Sequence, residues 1–311
     1  MEPNCSFHLV PLIRRMFCTA RFASVLTITL AWMLSGMGAS AVNVYEGFSG
    51  AGYHPGEFLH NLDGGTPGAF EAAWEDPDFG SGGEDRIRSG SLSFTGESGS
   101  LLNSGHSVLL AGTSGSSVNM RDLTDIVPAN GSELWLSFLI EKTTAGALTA
   151  TDPNGLRDFA LFRVVMTGAA PTIAFGDTST GKNISLLRES GPATTVPSTT
   201  EFGTATSYFL VAKFTFGAAA TDRVDLFINP APGGSAPTAA AASLTSQNIP
   251  GIALLELAAG NHGAGASYTF DEIRIGDTYA AVGPVPEPRA IGLLAIGAAA
   301  LTLRRGRSVS Y

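Results

Sequence analysis

Six carboxylates fall within the stretch "EAAWEDPDFGSGGED" (71–85): Glu71, Glu75, Asp76, Asp78, Glu84 and Asp85. Paired carboxylates can cut a glycosidic bond, one as acid and one as nucleophile or base, and retaining cleavage needs them about 5–5.5 Å apart. The string E-x-D-x-x-E, which would set carboxylates on one face of a strand, does not occur. Pro77 and the glycines at 80, 82 and 83 instead make 71–85 a loop. Such a loop is either a solvated acidic surface or a place for a cation or a carboxylate pair.

Other chemistry is no better provided for. A nucleophile elbow needs G-x-S-x-G, which is missing despite many Gly–Ser neighbours. His54, His60, His106 and His262 lack the H-x-H or H-x-x-x-H spacing that gathers imidazoles around a metal. There is no phosphate-binding or dinucleotide-binding glycine loop. With no catalytic motif present, the chain is expected not to be an enzyme.

Both ends carry address-like features. Arg14, Arg15 and Arg21 precede the apolar run 22–34, followed by "SGMGASA". A basic start, a short apolar core and small residues at Ala39 and Ala41 describe a secretory signal peptide, 1–41, cut after Ala41. The apolar run is too short for the ~20 residues of a membrane span. Met16 is an alternative start that would shorten the basic region. A signal of this kind implies the Sec translocon and signal peptidase as partners. Cys5 and Cys18, the two cysteines of the chain, both lie in the removable segment. The exported body therefore has neither disulfide nor thiolate chemistry.

The C-terminal segment, 284–311, contains "VPEPRAIGLLAIGAAALTLRRGRS" (285–308). Pro286, Glu287 and Pro288 come first, then the uncharged run 290–303, then Arg304, Arg305 and Arg307. As a helix, 290–303 would reach about 21 Å, short of a ~30 Å hydrocarbon core unless flanking arginines snorkel. The arginines would stay cytoplasmic, leaving the body outside. That orientation agrees with the signal peptide.

Between these ends lies one domain, 42–283, with 11 basic and 25 acidic residues, net −14. This sign disfavours nucleic acid as a partner. Period-2 patterns bounded by Gly, Pro, Asn and Asp mark strands. In 133–141, Leu134, Leu136, Phe138 and Ile140 share a face; in 207–216, Tyr208, Leu210, Ala212, Phe214 and Phe216 do; in 222–229, Val224, Leu226 and Ile228 do. Further strands are expected at 43–48, 91–95, 106–111, 117–121, 159–166, 171–176, 183–188, 252–258 and 267–275. Stretches 191–203 and 229–243, rich in Pro, Gly, Ala and Thr, are expected as surface loops. Some twelve strands without a long helical period predict an all-β, antiparallel sandwich. In "SYTFDEIRIGDTYAAV" (267–282) the apolar phase slips at Asp271–Glu272, which requires a bulge or a change of facing.

"YFLVAKFTF", "DRVDLFINP" and "YTFDEIRIGDTYAAV" together resemble the laminin-G/concanavalin-like jelly-roll domains of exported bacterial proteins. The resemblance implies a jelly roll and, because such domains often carry structural calcium, raises Asp271 as a ligand. Asp271 otherwise caps a backbone N–H at the bulge. Glycan-binding faces carry exposed rings that stack on sugar C–H groups; Trp74, Tyr53 and Tyr279 are the candidates, and Trp135 fits a core equally well.

The tripartite C-terminus resembles the PEP-CTERM sorting signal of bacteria, with Pro286, Glu287 and Pro288 as motif, 290–303 as membrane helix and 304–307 as basic tail. That resemblance implies exosortase as a partner, transient anchoring in the inner membrane, removal of the tail, and a destination at the cell surface or in an extracellular matrix associated with exopolysaccharide. Two functions follow as expectations. One is a non-enzymatic structural or glycan-binding surface protein. The other is an extracellular glycoside hydrolase or lyase with carboxylates drawn from separate strands.

Overall fold

A computed structural model describes residues 42–77, 83–112, 116–144, 159–168, 170–178, 181–218, 220–260 and 266–285. The signal-peptide positions Ala39 and Ala41, the motif Pro286, Glu287 and Pro288, and Arg304, Arg305 and Arg307 lie outside them. The strands are β1 (Val42–Glu46), β2 (Gly83–Arg88), β3 (Thr95–Gly96), β4 (Gly99–Ser100), β5 (Ser107–Gly112), β6 (Ser116–Ile126), β7 (Glu133–Thr144) and β8 (Phe159–Met166). They continue with β9 (Ile173–Asp177), β10 (Asn183–Arg188), β11 (Thr194–Glu201), β12 (Ser207–Thr215), β13 (Asp222–Ile228), β14 (Ala242–Gln247), β15 (Ile252–Gly260) and β16 (Ser267–Gly276). One short helix follows, α1 (Tyr279–Val282), capped by the Thr278 hydroxyl.

Two antiparallel sheets form a sandwich. Sheet I runs β14-β13-β12-β7-β16-β5-β2, with β1 also paired to β16; sheet II runs β11-β10-β9-β8-β15-β6. The expected alternation is what builds the core between them. Leu134, Leu136, Phe138 and Ile140 of β7, and Tyr208, Leu210, Ala212 and Phe214 of β12, all turn inward. Opposite them stand Phe162 and Val164 of β8 and Leu255 and Leu257 of β15. Phe138 stacks on Phe162 across the layer with ring centroids 4.5 Å apart.

Sheet I is buried on its other face too. Trp135 and Leu139 of β7, Phe209 and Val211 of β12, and Phe227 of β13 form a second apolar cluster with Leu101, Tyr279 and Val282. Segment 89–104, which contains the small β3–β4 hairpin, and α1 supply its cover. Residues 91–95, expected as a strand, are mostly part of this cover rather than a sheet member.

Three expected loops contain strands. Residues 83–85, the end of the acidic stretch, open β2, which pairs with β5 from Gly83–Gly112 to Arg88–Ser107. Residues 194–201 are β11, where β-branched Thr and Val outweigh the proline signal. Pro197 is tolerated because β11 is an edge strand, pairing only with β10. Residues 229–241 are the irregular connection expected, and 242–243 at its end open β14, the edge of sheet I.

Truncating Phe138 to alanine removes a ring that is fully enclosed between the sheets. We expect a loss of about 3–5 kcal/mol, read as a lower urea midpoint with an unchanged m-value. A shift under about 1 kcal/mol would show that the inter-sheet packing is not as described.

Candidate functional site

The phase slip foreseen at Asp271–Glu272 is a bulge in the middle of β16. The β16–β7 register shifts between Asp271 and Arg274, and Glu272 takes the left-handed conformation, φ 55°. The neighbour on the other side also changes there. Ser267–Phe270 pair with β5, whereas Ile273–Gly276 pair with β1. Inward facing therefore passes from Tyr268 and Phe270 to Ile273 and Ile275.

The bulge turns two buried carboxylates toward segment 89–104. Asp271 Oδ2 accepts the Leu92 N–H at 2.7 Å and Oδ1 accepts the Glu272 N–H at 2.8 Å. Glu272 accepts the Ser104 N–H at 2.6 Å, the Tyr45 hydroxyl at 3.1 Å and a short bond from Arg274. Arg274 also donates to the Leu102 carbonyl and lies 4.8 Å over the Tyr45 ring. One carboxylate thus holds the start of the segment and its neighbour holds the end. Burial, with Glu272 beside it, pushes the Asp271 carboxyl well above the usual carboxylate range. Burial also raises Glu272 in spite of Arg274.

These surroundings do not fit a calcium ion at Asp271. Calcium takes six to eight oxygens, and here both oxygens of Asp271 are turned to backbone N–H groups while Glu272 is matched by a guanidinium. No cluster of three or more His, Cys, Asp or Glu is arranged for a metal among the described residues. Asp271 is a backbone clamp at a bulge.

Tyr53, Trp74 and Tyr279 are not sugar-stacking platforms, because all three rings are in the interior at 1%, 0% and 4% exposure. Tyr279 packs 5.5 Å from Trp135 and donates its hydroxyl to the Ala231 carbonyl at 2.7 Å; burial pushes its pKa up to about 12. Tyr53 and Trp74 flank Phe48 beside a second buried charge, Glu46. Glu46 accepts the Tyr53 hydroxyl and the Phe48 N–H, each at 2.8 Å, and forms a fully buried ion pair with Arg121. Arg121 further holds Asp63, the Ala72 carbonyl at 3.0 Å and the Gly64 carbonyl at 2.9 Å. Its guanidinium stacks 3.8 Å from the Phe70 ring. Aromatic character alone cannot tell a stacking platform from a core ring. The missed signal was that Tyr53 and Trp74 surround a segment folded over β6.

A cleft of ≈ 240 Å³ opens beside Arg121, lined by Asp63, Thr66, Phe70 and the glycines between. Its one lining carboxylate, Asp63, is paired with Arg121. A second cleft of ≈ 240 Å³, near Arg188 and Gln247, has no carboxylate in its lining. Among the described residues, no acid of 71–85 lines either cleft. Glu71 and Glu75 run along β6 through backbone bonds to Asp122 and Met120, Asp85 is buried in β2, and Asp78 lies outside the described residues.

The last described residues, 283–285, are tied into the domain. Past α1, the Gly283 carbonyl accepts the Gly233 N–H and the Pro284 carbonyl accepts the Leu102 N–H, each at 2.8 Å. Val285 then packs against Gly99 and Gly233. A β-carbon at Gly233, φ +69°, would sit 2.7 Å from a Val285 methyl, so only glycine fits both the turn and the contact.

No protein-family model matches the chain, and no curated protein does. Among solved structures it is similar to the globular domain of T. cruzi calreticulin, 10% identical over 86% of this chain and 99% of that one, TM-score 0.46. An endo-β-1,4-glucuronan lyase from the fungus Trichoderma reesei is 9% identical over 68% and 97%, TM-score 0.40. The carbohydrate-binding module CBM66 from Bacillus subtilis is 11% identical over 62% and 94%, TM-score 0.34.

Three substitutions test the buried charges. Arg121→Met leaves Glu46 buried without its counter-charge and should cost about 3–5 kcal/mol, whereas adding Glu46→Gln should recover much of it in urea titrations. For Asp271 the folded pKa lies above the unfolded one. Its favourable protonation is present at low pH and is lost as pH rises through the folded value. Wild type should lose melting temperature as pH rises from about 4, the ordinary carboxylate value, through the higher folded one, and Asp271→Asn should lose less; equal slopes would remove the assignment.

Proposed function

We propose that this chain is an exported, non-enzymatic component of a bacterial cell surface or extracellular matrix, delivered by a C-terminal sorting tail that exosortase removes. In this reading the body is a jelly roll of the concanavalin/laminin-G kind, serving as a structural or glycan-contacting module in an exopolysaccharide layer.

The observation that carries the reading is the order of the C-terminal sequence, Pro286, Glu287 and Pro288, then the uncharged run 290–303, then Arg304, Arg305 and Arg307. The fold closes on itself through Gly283, Pro284 and Val285, and Pro286, Glu287 and Pro288 follow at the very next residue. A sorting motif has to be read in extended form outside the fold. Two prolines supply that, since each fixes φ and disfavours helical geometry before it. The body's own buried charges support a structural role, because Glu46, Asp271 and Glu272 are spent on internal clamps. Any glycan contact would be made elsewhere than at Tyr53, Trp74 and Tyr279. Among the described residues, Phe58 is the exposed aromatic ring, with Arg86 3.9 Å over one face.

The test is mass spectrometry of the surface-located protein from a host with the matching exosortase. Wild type should have lost Arg304, Arg305 and Arg307, while Glu287→Ala/Pro288→Ala should stay full-length in the inner membrane. An intact Tyr311 on surface-located wild type would overturn the reading. Release of reducing ends from polysaccharide by the purified body would overturn its non-enzymatic part.

A further inference from the structure

Three segments converge where the chain leaves the domain: 89–104, 229–241 and 278–285. They are tied to one another by the Leu102–Pro284 and Gly233–Gly283 backbone bonds, by the Tyr279 hydroxyl on Ala231, and by Val285 between Gly99 and Gly233. Together they carry one charged side chain, Glu97, in a body with 11 basic and 25 acidic residues. Leu102, a large apolar residue 46% exposed, sits among them beside Pro284. The face around the exit is therefore close to neutral on an otherwise acidic domain.

The distance to the apolar run is short. Four residues separate Val285 from Ala290, and a fully extended chain gains at most about 3.6 Å per residue, which puts Ala290 within about 18 Å of Val285. A headgroup layer takes up about 5–7 Å of that reach. A domain of this length has a radius of gyration near 18 Å, so it is more than twice as wide as its tether is long. The tether ends on the neutral face, and rotating another face toward the bilayer would stretch it around the body.

From this we propose that the face formed by 98–104, 231–236 and 283–285 rests on the lipid headgroup surface for as long as the tail is present. The proposal depends on the reading of 290–303 as a membrane segment. The occupant is a lipid surface rather than a protein, because the tether length fixes what lies opposite the exit. The charge pattern agrees. Anionic headgroups attract basic segments and repel acidic ones, so the acidic faces are held off while the neutral face approaches without that penalty.

The experiment uses residues 42–311, the form left when the signal peptide is removed and one without cysteine, reconstituted into vesicles of phosphatidylethanolamine and phosphatidylglycerol containing a nitroxide-headgroup lipid. A fluorophore is placed at Ser235→Cys, exposed in the neutral face, or at Thr195→Cys, exposed on edge strand β11 of the other sheet. The chain should float with the vesicles, and the Ser235 label should be quenched more strongly than the Thr195 label. Equal quenching in a floating chain would overturn the docking face and leave the anchor standing. A chain that does not float would overturn the membrane reading itself, and the docking face with it.

Discussion

The bulge at Asp271–Glu272 is the constraint on which the rest of the domain depends. A central strand cannot pair with β5 and β1 on the same side along its whole length, because the two strands occupy the same lane. The extra residue shifts the facing of β16 so that both halves turn apolar side chains into one core. The cost is a left-handed glutamate and two adjacent buried carboxylates. Both are satisfied by backbone N–H groups of the segment they hold, and a neighbouring guanidinium matches Glu272. The same pair that resolves a pairing conflict thereby fastens the cover over the outer face of sheet I.

The Glu46–Arg121 pair does related work at the other edge of the fold. Arg121 projects inward from β6, the edge of sheet II, and gathers the irregular segment 52–76 through carbonyls and Asp63. A body without cysteine has no covalent staples for its long connections. Buried polar clamps take that place here, each joining a sheet residue to a loop distant in sequence. Removing one partner of such a clamp leaves the other desolvated and unpaired, which is why these positions are more sensitive than surface ion pairs.

What the sequence made legible was the part governed by local periodicity. The alternation in β7, β12 and β13 named the inward residues correctly, and the parity change in 267–275 located the bulge before any partner strand was known. Long-range partners were not legible. Nothing local distinguishes Trp74 in the core from an exposed tryptophan, since its burial comes from a segment folding over β6. Edge strand β11 was hidden by Pro197, whose cost depends on whether a neighbour needs its missing N–H. The second cluster on sheet I was half visible. Trp135 and Leu139 gave β7 two apolar faces, but what covered the outer one lies at 89–104 and 279–282.

The central place of β16 also sets the order of events when the chain folds. Tyr45 meets Glu272 across 227 residues of sequence, and β16 is flanked by β7, β5 and β1. A chain that emerges from its N-terminus therefore displays β1, β5 and β7 with their shared lane empty until residue 276 has appeared. Closing so long a loop is slow, and sheet I can be completed only at the last step. A body arranged this way becomes compact only once nearly all of its length is available to fold, so its early strands wait for the last one.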